Sequence, residues 1–198
     1  MHTKPSHGPK LLIGLALLVP ACASLRASDT TPASAQAIVH DQSFFRAIAE
    51  QDGKVPADAD VLQLVHELES RLGDPDPVWR DDLAYSLITA WTYRDHLLPD
   101  GELRALVARL QLNLRRGIGQ TGDDSVLLRS FSALTLSTLV ALDAKQPFLE
   151  RDQARALLDA ALAYLADERD VRGYDERLGW LHSSAHTADL LKFLVRGR

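Results

Sequence analysis

The chain has 198 residues, 46% of them hydrophobic and 25% charged, with a formal net charge of −5 and a single cysteine. An acidic balance argues against nucleic acid as a partner, because that calls for a basic face. One cysteine rules out an intramolecular disulfide framework, and the roughly 160 residues beyond the N-terminal region suffice for one domain with a sizeable core.

The N-terminal region reads as an export signal. Lys4 and Lys10 precede the apolar run Leu11 to Val19, which is followed by Pro20-Ala21-Cys22-Ala23-Ser24. Fifteen residues without charge lie between Lys10 and Arg26, too few for a bilayer that needs about 20. A short apolar core followed by small residues is the pattern of a cleaved secretory signal. Cleavage before Cys22 leaves an N-terminal cysteine, as in a bacterial lipoprotein box, although Pro20 sits where Ala or Ser is usual. The rival cut, after Ala23, discards the cysteine. The lipoprotein reading is favoured because the sole cysteine stands at the lipidation position. Residues 1–21 are thus expected to be a signal peptide and 22–36, rich in Ala, Ser and Thr, a flexible tether. Residues 37–198 form the domain, held at the cell envelope in the periplasm by a lipid on Cys22. Removing residues 1–21 takes away Lys4 and Lys10 and leaves 20 Lys+Arg against 27 Asp+Glu.

Beyond the tether, apolar residues recur at helical spacing and no run of strand-type alternation appears. The predicted helices are 35–50, 60–72, 78–93, 101–115, 125–142, 152–166 and 180–195. Asp76-Pro77 supplies a cap and a first-turn proline for the third, and Asp124 or Ser125 caps the fifth. Gly53, Gly73, Gly117 and Gly173 fall in the breaks. The fifth helix is uncharged from Ser130 to Leu142 and apolar all round, which predicts a buried central position.

Weak internal repeats run through this pattern. Leu97–Leu106 aligns with Phe148–Leu157, 51 residues later; Arg80-x3-Ala84 recurs as Arg129-x3-Ala133, and Trp79-x4-Ala84 as Trp180-x4-Ala185. A period near 50 covering two helices predicts an all-α fold of stacked antiparallel helical hairpins, a HEAT/armadillo-like α-α superhelix.

Two arginines stand out because they enter apolar surroundings. Arg80 lies in the arc of Trp79, Leu83, Leu87 and Trp91, and Arg129 opens the central helix. A guanidinium near a core needs a carboxylate partner. Structural ion pairs are therefore expected, with Asp81, Asp82, Asp123, Asp124 or Asp189 as partners. The functional alternative is an anion-binding arginine in a groove.

Gly117-Ile118-Gly119-Gln120-Thr121-Gly122 matches G-x-G-x-x-G literally, but a helix precedes it where the dinucleotide fingerprint needs a strand. It is read as an inter-helix loop. The one constellation resembling chemical equipment is His182, His186 and Asp189, spaced i, i+4, i+7 on the last predicted helix. Two such imidazoles and a carboxylate suit a divalent metal such as zinc, or acid–base work with Asp189 orienting His186. Leu181, Ala185, Ala188, Leu191, Leu194 and Val195 occupy the opposite side, so the cluster is expected to face outward, mainly solvated or structural. Trp180 is expected to be a packing anchor like Trp79.

Taken in order, these landmarks resemble a family. The resemblance rests on Asp76-Pro77-Val78-Trp79-Arg80-Asp81-Asp82-Leu83-Ala84-Tyr85-Ser86, on Gly117-Ile118-Gly119, and on Asp124-Ser125-Val126-Leu127-Leu128-Arg129-Ser130-Phe131-Ser132. It continues through Gln146-Pro147-Phe148-Leu149, Asp170-Val171-Arg172-Gly173-Tyr174 and Gly179-Trp180-Leu181-His182 with Ala185-His186 and Ala188-Asp189. The chain is similar to the bacterial "domain of unknown function 2785" proteins from about Phe44 onward. The resemblance implies an all-helical domain with no assigned activity and no catalytic residues to carry over. Members usually extend beyond the His-His-Asp segment, whereas this sequence stops at Arg198, so the expectation is a C-terminally truncated member that lacks at least one further helical hairpin. The resulting expectation is an exported, lipid-anchored scaffold or protein-interaction module with a protein or peptide partner in the cell envelope and no cofactor. The alternative is a metal-binding protein or hydrolase-type enzyme using His182, His186 and Asp189.

Overall fold

The computed structural model describes residues 1–2 and 39–196, and the fold is that of the unit Ile38–Arg198. The expected signal peptide, Cys22 and the tether lie outside the described residues. Among the described residues there are seven helices and one two-stranded hairpin, so the chain is mostly helical.

Helix α1 (Gln42–Glu50) starts later than its apolar periodicity suggests. Asp41 is extended and its carboxylate accepts the Phe44 N–H at 3.0 Å, which fixes the start. Helix α2 (Val61–Glu69) is capped in the same way by Asp60, whose carboxylate accepts the Leu62 N–H at 2.9 Å. Helix α3 covers 78–94 and departs from simple α geometry. It is π-helical over Val78–Tyr85 and Ala90–Arg94, with one α-helical turn, Ser86–Thr89, between. Residues four apart in this helix stay buried together: Leu83, Leu87 and Trp91, and Arg80, Ala84, Ile88 and Thr92. In an α-helix each such step rotates by about 40°; the wider turns keep both rows on one face.

Helix α4 (Asp100–Asn113) leads through a glycine-containing loop into α5 (Ser125–Asp143), whose side chains are buried almost all round. The α5 start is held by Asp123, whose carboxylate accepts from the Ser125 N–H at 3.0 Å and the Ser125 hydroxyl at 2.6 Å. By length and composition α5 would also pass as a membrane span, but its apolar surface is accounted for by burial in the domain. Each Leu or Phe that it buries contributes roughly 1.5–3 kcal/mol. Helix α6 (Arg151–Asp167) follows a Glu150/Gln153 capping box, strands β1 (Tyr174–Asp175) and β2 (Gly179–Trp180) pair antiparallel, and α7 (Ser183–Arg196) closes the described chain. Helix α5 is the hub: it packs against α7 most extensively, and also against α4 and α3, while α6 packs against α7.

Candidate functional site

The segment from Gly173 to Asp189 is not one continuous helix from Trp180, as its periodicity predicts. Asp175 turns the hairpin by accepting the Arg177 and Leu178 N–H groups, both at 2.9 Å. Gly179 follows at φ +72°, a backbone region that disfavours side chains. Leu178 and Leu181 sink into a small cluster with Val126 and Leu127 of α5. The Leu178 carbonyl accepts from the Arg80 guanidinium at 2.6 Å, tying the hairpin to α3. His182, at φ +50°, is the turn residue whose carbonyl accepts the His186 N–H at 2.9 Å. Helix α7 therefore begins only at Ser183.

This shift in where the helix begins separates the three candidate residues. His186 points inward. It is 9% exposed, its Nδ1 lies 2.8 Å from Ser130 Oγ on α5, and its ring stands edge-on to Phe131 at 5.3 Å. Burial, with repulsion from His182 next in weight, holds this imidazole down at about 4. His182 remains half-buried, its ring stacked on Trp180 at 4.3 Å with 7° between planes. The two imidazole centres are 5.8 Å apart. Asp189 turns to Lys192 on the surface, 2.8 Å away. Among the described residues no three His, Cys, Asp or Glu side chains converge closely enough to hold a metal ion.

The expected outward orientation of the cluster is also corrected. Ser183, His186, Thr187 and Leu190 form the buried face of α7, whereas Ala185 and Ala188 are exposed. A small alanine can face either way, so the wheel assigned the core side wrongly. Trp180 differs from Trp79 as well. It sits on β2, 50% exposed, edge-on to Tyr174 at 5.0 Å, and Tyr174 is itself 60% exposed. Trp79 is half-buried in the first turn of α3 against Phe45, with the Arg71 guanidinium over its ring.

Both singled-out arginines are fully buried. Arg129 makes a two-pronged pair with Glu168, at 2.7 Å through Nε and 3.1 Å through Nη2. Its Nη1 donates to the Arg116 and Gly117 carbonyls and to Ser125 Oγ, each at 2.9 Å. The carboxylate is thus Glu168, at the end of α6, and none of the aspartates considered. Gly117 has φ +64°, and a Cβ there would come within 3.2 Å of Arg129 Nη1. The G-x-G-x-x-G stretch is accordingly a loop that wraps a guanidinium. Asp170 extends the network, accepting from Arg172 and from the Gly122 N–H. Burial works to raise its carboxyl, but these hydrogen bonds outweigh burial and hold it below the usual range.

Arg80 is different, and the expected ion pair is corrected. No carboxylate of the described residues comes within 4 Å of it. Its Nη1 donates to the Asp74 carbonyl at 2.8 Å and its Nη2 to Leu178; the guanidinium lies over the Phe131 ring at 4.7 Å, and Nε meets no acceptor. Burial pulls its pKa below the ordinary arginine value.

Ser130, the other partner of His186, is fully buried, and its hydroxyl also donates to the Leu181 carbonyl. The Ser130–His186 contact thus joins α5 to α7 and presents no nucleophile at the surface. Periodicity missed Glu168 and Ser130 because neither stands in a recognised spacing; their role comes from the packing of α5 on its neighbours.

No curated protein and no solved structure matches this chain. Residues 114–198, from the loop around Arg129 to the end of α7, match the model of "Protein of unknown function (DUF2785)", so the part of the chain that builds this site is similar to that family.

Proposed function

We propose that this chain is an exported, lipid-anchored helical module that binds a protein or peptide partner through the aromatic hairpin Tyr174–Trp180. The observation that carries the reading is the exposed, mutually packed Tyr174–Trp180 pair on a hairpin pinned from below by Arg80 and Asp175. Exposed Trp and Tyr held rigidly lose little freedom on binding, and such residues dominate interface energies. The apolar run Leu11–Val19 and the lone Cys22 support export and lipid anchoring. The period near 50 residues, with α5 packed on α7, supports a stacked-hairpin, HEAT/armadillo-like plan in which α4–α5 and α6–α7 are successive units.

Photo-crosslinking from position 174 in intact cells tests the binding reading. A discrete adduct that disappears with Trp180→Ala is the expected result; no adduct, or one insensitive to Trp180, contradicts it. Fatty-acid labelling abolished by Cys22→Ser is expected for the anchor, and unchanged labelling contradicts that part.

A further inference from the structure

The two ring nitrogens of His186 are in different situations. Ser130 Oγ lies 2.8 Å from Nδ1 and also contacts the Leu181 carbonyl oxygen. A hydroxyl has one proton to give, and a carbonyl oxygen only accepts. The serine proton therefore goes to Leu181, and the Nδ1–Ser130 bond takes its proton from the imidazole. This leaves the unshared pair of the neutral ring on Nε2. The Ser130 main chain also hydrogen-bonds the His186 ring, and no side chain of the described residues is hydrogen-bonded to Nε2.

The second imidazole is held in a fixed orientation. His182 stacks flat on Trp180, and neither of its ring nitrogens is hydrogen-bonded within the described residues. We propose that His182 and His186 form a two-imidazole site for a borderline divalent transition-metal ion, Zn²⁺ or Cu²⁺, with its remaining positions left to water or to a donor from a bound partner.

Three observations carry this. Two imidazoles sharing one ion at about 2.1 Å have ring centres roughly 5–6 Å apart, and these centres are 5.8 Å apart. Metal-binding histidines characteristically donate their other ring N–H to a fixed acceptor, which sets the tautomer; Ser130 is that acceptor here. Borderline ions favour neutral imidazole, and His186 presents it from a rigid helix packed on α5. Asp189, included in the spacing-based cluster, is engaged by Lys192 and is not one of the ligands. The nearby Arg80 charge opposes the ion, so affinity should fall short of a three-ligand protein site. The site is independent of the peptide-binding reading and stands or falls separately.

The test is titration of the purified full chain with Cu²⁺, read by tryptophan fluorescence and calorimetry, with Zn²⁺ as competitor. Copper at His182 lies against the Trp180 ring, so saturable quenching at one equivalent is expected, reversed by Zn²⁺. His186→Asn keeps an N–H where Nδ1–H meets Ser130 and removes Nε2; His182→Ala removes a half-buried ring. Each should weaken Cu²⁺ binding at least tenfold, while Trp180→Phe abolishes the quenching but keeps the calorimetric binding. If His186→Asn fails to fold, His182→Ala decides alone. Absence of one-equivalent binding, or binding unchanged in His182→Ala, overturns the proposal.

Discussion

Arg129 and Arg80 are the same residue type, both withdrawn completely from water, yet their surroundings neutralise them in opposite ways. Arg129 has a carboxylate on two of its nitrogens and three further acceptors on the third. Arg80 has two carbonyls, an aromatic face and an unsatisfied Nε. The difference shows what each guanidinium does for the fold. Arg129 fastens the 116–124 loop and the end of α6 onto the start of α5, so it joins three chain segments through one charge pair. Arg80 bridges the turn before α3 to the Leu178 hairpin, so it positions the aromatic surface without an ion pair.

Breaking the first arrangement should cost most. Glu168→Gln leaves Arg129 buried with no opposite charge, and a loss of about 3–5 kcal/mol is expected in urea unfolding. A loss under about 1 kcal/mol would mean that the neutral acceptors on Nη1 are enough to hold the buried Arg129 charge without a carboxylate.

Next in size is a pH effect on the residue between these regions. The folded His186 pKa, about 4, lies below its ordinary value of 6.5. The unfolded chain therefore takes up a proton that the folded chain refuses, and stability falls as pH drops from about 6.5 to about 4. The loss from this group is on the order of 3 kcal/mol. The pH dependence of unfolding should lose this contribution in His186→Asn; an unchanged profile would contradict it.

Arg80→Met should cost about 1–3 kcal/mol, because it removes the charge but strands the Leu178 and Asp74 carbonyls. Hydrogen exchange in the 175–181 hairpin should quicken more than in α5. If Arg80→Met proves costlier than Glu168→Gln, the contrast between the two arginines is wrong. Gly117→Ala should cost about 1–2 kcal/mol, combining left-handed backbone strain with crowding against Arg129. Trp180→Ala should change stability by no more than about 0.5 kcal/mol, as expected for a surface residue.

The helical class and the burial of α5 were legible in the sequence, because periodicity is local. The start of α1 at Asp41 was legible in principle: an Asp ahead of a Phe-Phe pair is a cap signal, but the upstream alanines extend the periodicity past it. The π-helical turns of α3 were not legible, since no residue type marks them and they arise from packing two four-residue rows on one face. Glu168 was missed because its link to Arg129 depends on where α6 ends, 39 residues along the chain. At the candidate site, the His182–His186 proximity was legible but its orientation was not. Gly179 and the left-handed His182 stop the helix from extending back to Trp180, and that turn decides which imidazole faces the core.

The tautomer of His186 is where fold and site meet, and long-range proton–nitrogen NMR of the imidazole at pH 7 reads it directly. The expected spectrum is that of a neutral ring protonated on Nδ1, with the exchange-protected proton bonded to Ser130 and an unprotonated Nε2. A ring protonated on Nε2, or an imidazolium, would contradict the hydrogen-bond assignment, and the metal proposal with it.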